Sequence, residues 1–226
     1  MADIATEILV PTARGPARAH VTLPPATLPR AALVLGHGAG GGIGAPDLQT
    51  ARRAALSAGL AVALIEQPYR VAGRRSAAPA AQIDEAWVAV VEHLRAGELE
   101  GVPLITGGRS SGARVACRTA SVAGAVAVLC LAFPLLPPTR AGAARPAASR
   151  LPELDAVTVR TLVIQGVRDR FGMPPEAAGR SVVAIAGDHA LKSDATALGQ
   201  AVTRWLEAVL EPSARRSGSR SSRSGR

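Results

Sequence analysis

The chain has 226 residues, 48% of them hydrophobic, enough for one sizeable core; no apolar run reaches the roughly 18 residues that span a bilayer, and Met1-Ala2-Asp3-Ile4 lacks the basic-then-apolar build of a secretory signal. The net charge of +9 is concentrated at one end, since Pro212–Arg226 carries five arginines and no acid and the remainder holds 21 basic against 17 acidic residues, or +4. Aromatic residues are 2% of the chain, too few for a stacking surface on single-stranded nucleic acid, so a soluble cytoplasmic protein with no specific nucleic-acid partner and no membrane span is expected.

Along the chain, short apolar runs alternate with helical patterns, the signature of a mainly parallel sheet covered by helices. Two weak runs, Glu7–Val10 and Ala17–Leu23, are read as an antiparallel pair at the sheet edge. Ala31–Leu35 is the first central strand and runs into Leu35-Gly36-His37-Gly38-Ala39-Gly40-Gly41-Gly42. A glycine-rich loop there can cradle a phosphate or hold an oxyanion. No Gly-Lys-Ser/Thr follows, which excludes a Walker motif, and no acidic residue ends the next strand in the setting a dinucleotide fingerprint needs. As an oxyanion loop it would offer the Ala39 N–H, with His37 and Gly38 shaping the turn. A helix, Leu48–Ser57, stops before Gly59, and strand Leu60–Ile65 leads to Pro68–Arg75. Arg70 and Arg74, with Arg109 and Arg168 further on, either rim a pocket for an anionic substrate group or are solvated surface arginines. Helix Ile83–Leu94 puts Ile83, Trp87, Val90, Val91 and Leu94 on one face.

Strand Pro103–Thr106 opens the most informative stretch, Leu104–Cys117, LITGGRSSGARVAC. Gly108-Arg109-Ser110-Ser111-Gly112 matches G-x-S-x-G between a hydrophobic strand and a small-residue helix pattern, the context a nucleophile elbow requires. A hydroxyl raised above a sharp strand-to-helix turn leaves no room for side chains two residues before or after it, hence Gly108 and Gly112. The Ser111 N–H and the helix dipole then favour negative charge at the same spot. Ser111 is itself a hydroxyl, at the wrong spacing from the glycines to be the nucleophile. Strand Ala125–Ala132 precedes Pro134–Pro152, read as a connection or minimal lid. Cys117 and Cys130 are read as small buried hydrophobes with no local partner, so neither a disulfide framework nor a metal site is expected.

A serine nucleophile needs a base and the base an orienting carboxylate. Strand Thr161–Gln165 is followed by Asp169, and strand Val182–Ala186 by Asp188-His189. His189 lies on a loop at the carboxyl end of the sheet, where open α/β sheets place their sites, while His20 and His93 read as structural or solvated. Asp169 is favoured over adjacent Asp188 by the order Ser, Asp, His, and Asp155 lies at the wrong end of a strand. Helix Ser193–Leu210, with Leu198, Val202, Trp205, Leu206 and Val209 on a stripe, closes residues 1–211, and 212–226 is read as a disordered Arg/Ser-rich tail.

The His37-Gly38 turn, the elbow at Ser110, Asp169 and His189, in that order from about Glu7 to Leu210, resemble the α/β-hydrolase family. The likeness is to small lidless hydrolases similar to dienelactone hydrolase and to the hydrolase-like domain in one subunit of a chromatin acetylation complex. It implies the α/β-hydrolase fold, mostly parallel with flanking helices and minimal or no lid, and acyl transfer to Ser110 without a cofactor or metal. Dienelactone hydrolases use a cysteine nucleophile, so Ser110 departs from that substrate. Two alternatives stand beside an acyl hydrolase acting on a small molecule: a non-catalytic interaction module on the same fold, and nucleic-acid or membrane association through the tail.

Overall fold

The computed structural model describes residues 5–24, 28–137 and 148–211; the arginine-rich tail and the middle of the Pro134–Pro152 connection lie outside them. Among these described residues, eight strands form one sheet in the order β1-β2-β4-β3-β5-β6-β7-β8. They are β1 (Thr6–Val10), β2 (Ala17–Thr22), β3 (Ala32–Gly36), β4 (Ala61–Glu66), β5 (Leu104–Arg109), β6 (Ala127–Leu131), β7 (Arg160–Gly166) and β8 (Arg180–Ile185). The β1–β2 and β2–β4 pairs are antiparallel and every other pair is parallel. This is the expected mostly parallel sheet with an antiparallel pair at one edge.

The continuous apolar runs follow from burial on both faces. In β3, Leu33 and Leu35 pack on α1 (Pro46–Ser57) and α6 (Ala195–Leu210). Ala32 and Val34, pointing the other way, face α3 (Ala80–Ala96). The stripe read on α3 is buried in full, and Trp87 on it is wholly inaccessible. Truncating such a residue to alanine costs about 3–5 kcal/mol. Trp87 also packs against Gly36 at the end of β3, so a core residue braces the start of the glycine-rich loop.

Three short elements depart from the expected pattern. β5 continues through Gly107, Gly108 and Arg109, because its backbone keeps pairing with β3 and β6 where the apolar pattern lapses. The Pro68 loop coils into a single turn, α2 (Pro68–Val71), with proline in its first turn. The Pro134–Pro152 connection ends in another turn, α5 (Leu151–Asp155), again with a proline in its first turn. Between β5 and β6 lies α4 (Ser111–Thr119). Cys117 on α4 and Cys130 on β6 are buried as expected, but they are not without a partner: their sulfurs are 3.4 Å apart.

Candidate active site

The carboxyl ends of β3, β5, β7 and β8 meet above the sheet, and each contributes one part of the site. At the end of β5 the chain reverses into α4 within a single residue. That residue, Ser110, has φ 52 and ψ −106, a region that costs a non-glycine side chain about 1–3 kcal/mol. Its N–H donates to the Leu131 carbonyl at 2.9 Å, which ties the turn to the neighbouring strand. A Cβ on Gly108 would meet the Gly36 carbonyl oxygen and the backbone of Gly112, and a Cβ on Gly112 would overlap Gly36. Three backbones touch here, and only glycine permits it.

His189 reaches this turn from the loop after β8. Its Nε2 is 3.0 Å from Ser110 Oγ, and its Nδ1 is 2.8 Å from Asp169 Oδ2. Asp169 follows β7, and its side chain is 1% exposed. Phe171 N–H donates to its second oxygen at 2.9 Å, and the Phe171 ring meets the imidazole edge-on at a centroid distance of 4.5 Å. Gln165, fully buried at the end of β7, brings its amide nitrogen to 2.8 Å from Asp169 Oδ2 and 3.0 Å from the Phe133 carbonyl. The carboxylate is thus held on both oxygens. Asp188 turns away and accepts the Ala190 N–H, and Asp155 pairs with Arg180. His20 is held by Glu66 and Glu7 at the sheet edge, and His93 is exposed.

The glycine-rich loop is fixed from beneath. His37 is buried; its Nε2 accepts the Gln67 N–H at 3.2 Å, so the proton is on Nδ1, which donates to the Gly38 carbonyl at 2.8 Å. Burial, foremost, lowers the His37 pKa and keeps the ring neutral. The Tyr69 hydroxyl, its pKa raised by burial, donates to the Ala39 carbonyl at 3.0 Å. Gly38 lies against Arg109 and Ser110, where an added Cβ would press on the Arg109 guanidinium. Ala39, Ser110 and Ser111 line one cavity, and among the described residues neither the Ala39 nor the Ser111 N–H enters a hydrogen bond with the rest of the chain.

The arginines sort differently from the rim read in the sequence. Arg109 lines the cleft that holds Ser110 and His189, but as a paired cation. Its Nε pairs at 2.8 Å with the buried Asp47 carboxylate, although the N–H is not directed at that oxygen, and its Nη2 donates to the His189 carbonyl at 3.1 Å. It therefore anchors the histidine loop. Burial raises the Asp47 pKa, against the pull of Arg109. Arg70 donates to the Arg74 carbonyl at 3.4 Å, Arg74 lines a separate hollow beside Pro68, and Arg168 is exposed beside His189. Among the described residues two cavities contain Ser110: Arg109 and Arg170 line the one that also holds His189, and Arg114, Arg118 and Arg150 line the other. Arg114 and Arg118 had a sequence signal, since they follow Ser110 by four and eight residues and so share its face of α4. Gln165 also had one, being polar in an otherwise apolar strand. Arg150 and Phe171 had none.

An alpha/beta hydrolase domain model matches residues 29–211. The fold is similar to that of a lidless α/β serine hydrolase from Xanthomonas campestris, with 19% identity, a TM-score of 0.72, and 94% of this chain and 98% of that one covered. It is also similar to Est1E from Butyrivibrio proteoclasticus, bound there to ferulic acid (15% identity, TM-score 0.73, 91% and 100% covered). A dienelactone hydrolase from Anabaena variabilis is similar as well (17% identity, TM-score 0.68, 91% and 98% covered). Among curated proteins none matches the sequence.

Proposed function

The chain belongs to the α/β-hydrolase family, and from that premise we propose that it is a serine hydrolase that cleaves an ester or similar acyl bond of a small molecule through Ser110. The observation that carries this reading is the continuous chain of contacts from Asp169 through His189 to Ser110 Oγ, at 2.8 and 3.0 Å. Folds of this family carry many functions, so the geometry of the site has to carry the argument.

In this reading Ser110 Oγ attacks the substrate carbonyl carbon while its proton passes to His189 Nε2. Asp169, held by Gln165 and the Phe171 N–H, keeps the second imidazole proton on Nδ1 and stabilises the imidazolium. The negative oxygen forms opposite the Ala39 and Ser111 N–H groups; losing one such donor typically costs on the order of 10²–10³ in turnover. His189 then returns its proton to the leaving oxygen, and the acyl group stays on Ser110. Water, deprotonated by the same imidazole, attacks that acyl ester and frees the serine. The reaction so written uses no cofactor or metal. The reading places the enzyme in the cytoplasm, where its two buried thiols stay reduced.

The test is labelling with a fluorophosphonate probe alongside hydrolysis of short p-nitrophenyl esters and thioesters. Labelling and turnover that vanish together in Ser110→Ala support the proposal. A folded wild-type protein that neither labels nor turns over any ester is instead a binding module on a hydrolase fold.

A further inference from the structure

Two clefts open on either side of Ser110. One, of about 280 Å³, is lined by Ala39, Ser110 and Ser111 together with Arg114, Arg118 and Arg150. The other, of about 450 Å³, contains His189 and the loop Gly40–Gly42, with Arg109, Arg170 and Lys192 on its walls. Under the serine hydrolase reading, on which this inference rests, the leaving oxygen must take its proton from His189 Nε2 and so departs into the second cleft. The acyl chain is left with the first, whose size suits a short chain better than a bulky one.

The charges in that first cleft do not balance. Arg114 grips Glu153 with two nitrogens, its Nε at 2.8 Å. Arg118 grips Asp84 at 2.6 and 2.7 Å and reaches Glu153 at 3.2 Å. Three guanidinium groups thus share two carboxylates. Arg150 is the one left over: its Nη1 donates to the Pro134 carbonyl at 3.0 Å, and no carboxylate among the described residues lies within ion-pair distance of it. Nor does the segment 138–147 contain an acid; its two charged residues are arginines. Burial, foremost, and then Arg114 lower the Arg150 pKa against the weaker pull of Glu153, with Arg118 adding to the lowering, the mark of a cation in a place that disfavours it.

We propose that the acyl group of the substrate ends in a carboxylate, and that Arg150, backed by Arg114 and Arg118, receives it at the far wall of this cleft. The substrate is then a hemiester or monothioester of a short dicarboxylic acid. One uncompensated positive charge matches one carboxylate, and a guanidinium meets a carboxylate with two parallel hydrogen bonds.

The experiment compares the mono-p-nitrophenyl ester of glutarate with its methyl-capped diester. These differ in the terminal charge and one methyl group. Wild type is expected to favour the hemiester by about tenfold or more in kcat/KM, with the gain mainly in KM. Arg150→Gln should collapse the ratio of the two kcat/KM values, and Arg150→Lys should restore part of it. A merely structural loss lowers both rates and leaves the ratio intact, which overturns the proposal, as does a wild type without preference. If neither ester is turned over, the hydrolase reading fails on its own, and calorimetry with free glutarate and the Ser110→Ala protein decides the cleft. Binding that Arg150→Gln abolishes keeps the carboxylate site, and no binding removes it.

Discussion

On one side of Ser110 the protein builds with backbone and glycine, and on the other with arginine and carboxylate. The corner where β3, β5 and α4 meet is made of Gly36, Gly108 and Gly112 in main-chain contact, with the nucleophile strained above it. The facing wall is made of Arg114, Arg118, Arg150, Asp84 and Glu153, long side chains that keep about a fifth of their surface in water where they pair. The corner fixes where bonds break. The wall sets what is brought there. A backbone corner cannot drift by substitution, because any Cβ displaces a strand, whereas the wall can change one side chain at a time.

The largest expected effect tests the rigid half. Gly112→Ala puts a methyl group into the Gly36 carbonyl, with no flexible atom to yield. Overpacking of this kind costs about 1–3 kcal/mol even where neighbours adjust. We expect a clear loss of stability in a urea melt and no detectable ester turnover. A stable, active Gly112→Ala protein would break the contrast between corner and wall.

Asp169→Asn comes next. The substitution keeps the shape of the side chain but favours the wrong imidazole tautomer, and kcat should fall about 10⁴-fold while thermal stability changes little. Separating the effect on kcat from that on the melt shows whether Asp169 acts on the chemistry or on the fold.

On the wall, Arg118→Gln strips Asp84 of a two-nitrogen partner and should cost about 1–3 kcal/mol, measured by urea denaturation. Equal stability would mean that the network contributes charge and no rigidity.

The smallest effect belongs to His37. Burial lowers its folded pKa below the usual 6.5, so on acidification the unfolded chain takes up a proton that the folded chain refuses. The stability from the neutral ring is present above pH ~6.5. It declines as pH falls towards the lowered folded pKa, with a slope of at most about 1.4 kcal/mol per pH unit. His37→Gln should flatten the urea midpoint between pH ~6.5 and 5, and a parallel slope in both proteins would show that the ring is already charged.

The parts legible in the sequence were those with local physics. Continuous apolar runs mark strands buried on both faces, and Gly108 and Gly112 mark a crowded turn. Ser110, Asp169 and His189 could be paired because each follows a strand and so reaches the same end of the sheet. The wall was not legible, since it depends on where the Pro134–Pro152 connection returns. Only the fold puts Arg150 beside Arg114, through Arg150 N–H bonding to the Leu135 carbonyl at 2.8 Å and Leu136 N–H to that of Phe171 at 2.8 Å. The sulfur contact was missed for the same reason: Cys117 and Cys130 lie 13 residues apart on different elements, and no spacing rule joins them. Arg109 could be placed at the cleft from its position beside Ser110, but its pairing with Asp47 could not, because that partner comes from α1.

That pair of sulfurs gives the experimenter a clock. The Cys130 thiol is enclosed, and its contact with Cys117, foremost, pushes its pKa well up; alkylating reagents need the thiolate, so a cysteine introduced on the surface reacts against a silent background. When α4 lifts from β6 that silence ends. The rate at which the native thiols become reactive therefore counts openings of the layer directly behind the nucleophile, with no label added to the site itself.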